Sequence, residues 1–122
     1  MKWTQQGLDR VREWRKLVGT TPLVAIGGVT PERAMQAFAA GADIATFDYY
    51  VSPEQAAGLL PQTCLLGNLK SLDFLDAHPQ RIAAAAHLAL AAFRERGGFI
   101  LSSGCEIPPE SAPANIARSE ER

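Results

Sequence analysis

The chain has 122 residues, 47% of them hydrophobic and 20% charged, with a net charge of −1. That length suits one modest domain, and the balanced charge argues against a nucleic-acid partner. No apolar run approaches the roughly 20 residues of a membrane span, and residues 1–20 are too charged for a signal peptide. Two cysteines make no disulfide framework. We therefore expect a cytoplasmic protein without membrane contact.

The first predicted element is an amphipathic helix over 7–18. Its apolar residues recur every three or four positions: Leu8, Val11, Trp14 and Val18. Gly19 is placed to end this helix. The continuously apolar run 22–27 then predicts a short strand that is buried on both faces.

A helix start follows this strand. Thr30 can cap the helix, Pro31 stands at its first position, and Glu32 lies near the positive end of the helix dipole. Gly41 is placed to end it. We expect its inner stripe to consist of Met35, Phe38 and Ala39.

The strand–helix unit then repeats. Residues 43–48 predict a second strand, and Ser52 with Gln55 forms a capping box for a short helix that ends near Leu60. A third strand at 63–67 follows.

The longest predicted helix comes after a loop at 68–77. His78 helps to cap this helix, Pro79 begins it, and the glycine pair 97–98 ends it. Its core face should comprise Ile82, Ala86, Ala89 or Leu90, and Phe93.

The chain closes with a fourth strand at 99–103, a helical turn at 115–118 and a charged, frayed tail at 119–122. Short apolar strands that alternate with helices predict an α/β fold with a parallel sheet. Four βα units are half of a (β/α)₈ TIM barrel, which typically needs about 250 residues. A small doubly wound sheet is the alternative.

Small residues follow the first predicted strand, at the sheet edge where parallel α/β proteins bind ligands. Gly27 and Gly28 allow a ligand to come close to the backbone, and with Val29 and Thr30 they lead into a capped helix. Backbone amides and the helix dipole together predict an anion site, most naturally for phosphate. The alternative is a tight turn without a ligand.

Three residues after later strands are candidate catalytic groups: Asp48, Cys105 and Glu106. Asp48 could act as an acid, a base or a substrate anchor, or could simply form a turn. An exposed Cys105 thiolate beside Glu106 could act as a nucleophile or bind zinc. Zinc needs three or four protein ligands, and His78 and His87 are more simply explained as a helix cap and a surface residue. We therefore predict no certain cofactor, with zinc a remote possibility.

Residues 6–43 resemble the C-terminal part of thiamine phosphate synthase, a TIM-barrel enzyme. The likeness lies in PLVAIGGVTPERA (22–34) and AGAD (40–43). It implies that Gly27 and Gly28 help to hold phosphate. The family's next strand usually runs into a valine-valine-serine phosphate loop, whereas this chain has ATFDYY at 45–50.

Residues 41–116 resemble the uroporphyrinogen decarboxylase superfamily, and most closely its methylcobamide:coenzyme M methyltransferase-like members. The marks are GADIATFD (41–48), LLGNL (65–69), FILSSGCEIPP (99–109) and PANI (113–116). This resemblance implies the C-terminal half of a TIM-barrel decarboxylase or methyltransferase, with a tetrapyrrole or methyl-donor substrate.

The methyltransferases of that superfamily bind zinc through a His-x-Cys-Gly strand and a later Gly-Cys. Ala25 and Gly27 stand at the first two ligand positions, and Cys105 stands at the third. The resemblance therefore implies a zinc site that has lost two of its three ligands.

Three hypotheses follow for this chain, treated as one partial barrel domain over 1–122. In the first, it is the C-terminal half of a decarboxylase or methyltransferase-like enzyme and is incomplete alone. In the second, it is a phosphate-binding half-barrel. In the third, it is a non-catalytic fragment that self-associates. The first third is either a divergent part of the same superfamily or a piece of a second barrel joined near 41–46. In each case we expect a missing half-barrel or a second copy as partner, because half a barrel has two open sheet edges and an uncovered inner face, which are prone to association.

Overall fold

A computed structural model describes residues 5–27, 29–76 and 78–120. Its elements alternate along the chain as α1 Gln5–Val18, β1 Val24–Ala25, α2 Pro31–Ala40, β2 Ile44–Thr46, α3 Pro53–Leu59, β3 Cys64–Leu69, α4 Asp73–Asp76, α5 Pro79–Phe93, β4 Phe99–Ser103 and α6 Pro113–Glu120. None of the helices in these ranges has the length and apolar character needed to cross a membrane.

The four strands form one parallel sheet in the order β1-β2-β3-β4. One row of aligned residues runs through Ala25, Ala45, Leu65 and Phe99. Sequential order, with helices α2, α3 and α5 packed on the same face, is the arrangement of half a TIM barrel. It is not that of a doubly wound sheet, in which the strand order reverses and helices cover both faces. The predicted α/β half-barrel is confirmed.

The main core lies between the sheet and these helices. Leu60, which directly follows α3, and Phe93 of α5 lie there in one cluster with Leu65 of β3, and all three are almost fully buried. The rings of Phe93 and Phe99 stack with centroids 4.2 Å apart, which closes the core at the β4 side. A second cluster joins α5 to the end of β3 and contains Leu69, Phe74, Ile82 and Ala86.

The buried stripe of α2 differs from the predicted one. It consists of small residues only: Ala34, Ala37 and Ala40. Met35 is 54% exposed, Ala39 is exposed and Phe38 is half-buried. The prediction followed the larger side chains, but alanines let the helix lie close against the sheet, and the larger residues then point away from it.

The other face of the sheet is open, so the prediction of a first strand buried on both faces was wrong. Ile26 is 74% exposed and Val24 is 37% exposed. β1 is also an edge strand that pairs only with β2, and its regular part is reduced to two residues. This face is the inner face of the half-barrel, which the half-barrel prediction had as uncovered, so the apolar pattern of the strand misled where the fold prediction did not.

Other bounds shift modestly. β3 runs to Leu69, and α4 forms inside the segment predicted to be a loop. α6 begins at Pro113 and includes Ser119 and Glu120 of the predicted tail, while residues 121–122 lie outside the described residues. His78 takes the capping position of α5, but its side chain makes no capping hydrogen bond and contacts Gln80 instead.

An arginine from α1 holds the amino-terminal end of the sheet. The Arg15 guanidinium donates to the carbonyls of Gly41 at 2.8 Å and Gly19 at 2.7 Å, and it pairs with the Asp43 carboxylate. Asp43 also accepts a hydrogen bond from the amide of Leu23 at 2.8 Å. These contacts tie α1, the start of β1 and the start of β2 together.

Candidate functional site

A cavity of about 390 Å³ opens on the inner face at the carboxyl ends of the strands. It is lined by Ile26, Gly27, Val29, Thr46, Phe47, Asp48, Leu66, Ser102, Ser103, Gly104, Cys105 and Glu106. All four strands or the loops that follow them contribute to it, which is the location of active sites in TIM barrels.

The predicted catalytic residues come together in this cavity. Asp48 follows β2, whereas Cys105 and Glu106 follow β4, and all three line the same space. Each is exposed, so each can reach a ligand. Of the predicted phosphate-binding residues, Gly27 and Val29 also line the cavity.

The buried Asn68 at the end of β3 fixes the segment that carries Asp48. Its Nδ2 donates to the carbonyl oxygens of Asp48 at 3.1 Å and Val51 at 2.7 Å. The Asp48 carboxylate in turn accepts the amide of Tyr50 at 3.2 Å. Asp48 therefore forms a turn and faces the cavity at once, so the two interpretations of this residue are compatible.

Sequence reasoning missed the role of Asn68. An asparagine that follows a buried apolar strand must find partners for its amide, and this was the available signal. Thr46 was missed as well, because it lies within a strand pattern. Its hydroxyl donates to the carbonyl of Ala25 at 3.4 Å across the open face.

The charge of the cavity is negative. Among the described residues that line it, Asp48 and Glu106 are the charged ones, and neither Lys nor Arg is present. Lys70 lies nearby, with its Nζ 5.5 Å from the centre of the Tyr49 ring. A hydrogen bond with Tyr50 raises the pKa of Tyr49 to about 12.

The start of α2 offers an anion fewer donors than the sequence indicates. Thr30 caps the helix as predicted, and its Oγ1 accepts the amide of Arg33 at 3.3 Å. The Glu32 carboxylate accepts hydrogen bonds from its own amide and from the Thr30 hydroxyl, which lowers its pKa. The Glu32 carboxylate therefore already takes up hydrogen-bond donors at the start of α2 that an anion would need. Gly28 lies outside the described residues, and Thr30 is not among those that line the cavity.

The donor set does not fit a zinc ion. Of the three expected ligand positions, Cys105 is exposed in the cavity. Ala25, which is buried in the core, and Gly27 have no side-chain atom that could bind zinc. Over 5–27, 29–76 and 78–120, no group of three His, Cys, Asp or Glu residues is placed to hold a metal.

Comparison with known proteins agrees with this arrangement. The model of the uroporphyrinogen decarboxylase (URO-D) family matches residues 5–121. The chain belongs to the URO-D family. The match runs across 41–46 and includes the first third of the chain, so this URO-D chain carries family features on both sides of the predicted junction.

A shorter likeness to a second barrel enzyme is also present. The thiamine-phosphate synthase of Rhizobium etli is 56% identical to this URO-D chain over 45 residues, which are 37% of this chain and 22% of the synthase. The chain thus spans about a fifth of the length of that relative. The junction near 41–46 stays a prediction, because neither comparison marks a boundary.

Proposed function

We propose that this chain supplies the C-terminal half of the active-site cavity of a decarboxylase or methyltransferase-type enzyme of the URO-D family. The observation that carries the proposal is the convergence of Asp48, Cys105 and Glu106 on one cavity. Because barrel sites draw residues from many strands, we expect the chain to be incomplete as a catalyst on its own.

The residues suit proton transfer. When a carboxylate leaves carbon as carbon dioxide, the carbon atom must receive a proton, and a carboxylic acid at the reacting centre can supply it. Asp48 is the better placed of the two acids, because Asn68 holds its backbone and the turn to Tyr50 orients its side chain. Glu106 lies on the loop after β4 and can take the complementary role.

Cys105 supports the methyl-transfer alternative. An exposed thiol at the cavity can act as a nucleophile once it is deprotonated. Zinc would normally activate a thiol acceptor in this branch of the family, and the residues for such a site do not assemble here. We therefore favour proton-transfer chemistry over methyl transfer.

The apolar and acidic lining indicates the ligand class. Ile26, Leu66 and Phe47 offer apolar contact, while Asp48 and Glu106 can accept hydrogen bonds from N–H groups. The N–H groups of a pyrrole-type ring fit this lining, whereas the anionic groups of any ligand, phosphate included, must lie away from Asp48 and Glu106, because carboxylates repel an anion.

Amide shifts in a ¹H–¹⁵N spectrum test the proposal, with uroporphyrin and methylcobalamin as probes. We expect saturable shifts for Thr46, Asp48 and residues 102–106 with at least one probe. Asp48→Asn should weaken that binding about 10- to 100-fold, because a hydrogen bond to a charged group contributes about 1.5–3 kcal/mol. Glu54→Gln, on the exposed start of α3, is the matched control and should bind as the parent does. Failure of both probes to shift these amides would overturn the proposal.

Phosphate binding is a second candidate, favoured by the likeness to the synthase and by the place of Gly27 in the cavity lining. Titration with inorganic phosphate should then shift the amides of Gly27, Val29 and Thr30. Glu32→Gln should strengthen the response, because it removes a competing carboxylate from the start of α2. Unchanged amides in both proteins would exclude a phosphate site.

A further inference from the structure

The loop that carries Cys105 and Glu106 contains neither helix nor strand. It comprises residues 104–112 and joins β4 to α6. Both side chains are exposed at the cavity, so their own packing cannot fix the loop. Contacts at the two ends of the loop must therefore determine where these two groups lie.

The first end of the loop is fixed on both sides of the two groups. Gly104 donates its amide to the carbonyl of Leu69 at 2.7 Å, which extends the pairing of β4 with β3 by one residue. Ile107 packs against the second core cluster, at the end of β3. Cys105 and Glu106 lie between these two contacts, and three Cα–Cα steps of about 3.8 Å join Gly104 to Ile107. The backbone between the two contacts therefore has little freedom.

The second end of the loop is held by the buried side chain of Asn115. Asn115 is 2% exposed, and its Nδ2 donates to the carbonyl oxygen of Phe74 at 2.9 Å. The amide of Ala112 donates to the same oxygen at 3.2 Å. Phe74 belongs to α4 and is fully buried. One carbonyl on α4 therefore holds both the last residue of the loop and the first turn of α6.

A buried amide fixes this junction more strictly than an apolar side chain would. The hydrogen bond depends on distance and angle, so α6 cannot slide along α4 without weakening it. Such a shift is costly, because the Asn115 amide would leave this acceptor while it stays buried. The loops that follow β3 and β4 are therefore held in one arrangement.

We propose that Asn115 is a positioning residue for Cys105 and Glu106, because it fixes the loop that carries them to α4. Asn68 does the same for the loop after β2, where it holds the segment that carries Asp48. Together the two asparagines determine how far Asp48 lies from the groups after β4. The chemistry of these groups rests on the proposed function, whereas their placement does not.

Relaxation of the backbone ¹⁵N nuclei tests the proposal, since it measures the order of each loop separately and needs no ligand. In the unsubstituted chain we expect order parameters of about 0.85 at residues 105–107, the value of a rigid backbone. Asn115→Ala should lower them below about 0.6, while residues 48–51 keep theirs. Asn68→Ala should show the reverse, with order lost at 48–51 and kept at 105–107.

Ser119→Ala is the matched control. It removes a hydrogen bond of the same helix, from the Ser119 hydroxyl to the carbonyl of Ile116 at 2.7 Å, which reaches no other element. Residues 105–107 should keep their order in this variant. An equal loss of order at 48–51 and 105–107 in Asn115→Ala would indicate general loosening of the fold and would overturn the proposal.

The unsubstituted chain decides the matter if Asn115→Ala does not fold. The side-chain amide protons of Asn115 should then exchange slowly with solvent, and residues 105–107 should be rigid. Rapid exchange of these protons, or flexible residues 105–107, would overturn the proposal. Neither readout uses a probe molecule, so failure of the ligand test and failure of this proposal are distinguishable.

Discussion

Single polar residues determine the geometry of the candidate site. Asn68 is 6% exposed and satisfies two carbonyl oxygens of the loop that carries Asp48. Leaving a buried polar group without its partner costs about 1–3 kcal/mol, so one amide can decide where the Asp48 carboxylate lies.

We expect Asn68→Ala to lower the free energy of unfolding by about 2–3 kcal/mol and to weaken probe binding at Asp48, because the carbonyls of Asp48 and Val51 lose their donor. Urea denaturation measures the first effect and amide shifts the second. Gln36→Ala, on the exposed surface of α2, should change neither. A variant as stable as the parent would show that Asn68 does not hold this loop.

Asp43 gives the fold a dependence on pH. The Leu23 amide and the Arg15 guanidinium lower its pKa. Because the folded-state pKa is below the ordinary value of about 3.9, the charged form stabilises the fold above that value, and this stabilisation is lost as pH falls through the folded-state pKa.

Asp43→Asn should therefore melt below the parent at neutral pH, and the difference should shrink in the acid range below about pH 4. Thermal melts recorded by circular dichroism across pH measure it. Glu13→Gln breaks an ion pair whose side chains are both 59% exposed, and it should have little effect at either pH. A constant difference between parent and Asp43→Asn at all pH values would contradict this assignment.

At the scale of elements, capping patterns were the dependable part of the sequence. The Thr30 cap, the Ser52–Gln55 capping box and the bounds of β4 agree with prediction, because each depends on residues within one turn or one strand. The buried stripe of α2 depends on how closely the helix approaches the sheet, and β1 depends on its neighbours. Both features depend on tertiary packing, which the local sequence pattern does not determine.

The glycines of the helices provide a matched pair of substitutions. Gly41 ends α2 at φ 115°, and an added Cβ would lie 2.9 Å from Cγ of Arg15. Gly41→Ala should therefore destabilise the fold by about 1–3 kcal/mol. Gly58 lies within α3 with nothing near its Cβ position, so Gly58→Ala should stabilise by about 0.5–1 kcal/mol. Chemical denaturation of both variants measures the change in the free energy of unfolding, which should be negative for Gly41→Ala and positive for Gly58→Ala. Changes of the same sign would contradict this explanation.

For the whole molecule, alternation of strands and helices was sufficient to predict a parallel half-barrel, and the strand ends were sufficient to bring Asp48 and Cys105 to one cavity. The half-barrel prediction already included an uncovered inner face, whereas the apolar pattern of β1 alone did not, because an apolar strand looks the same whether or not its inner face is covered.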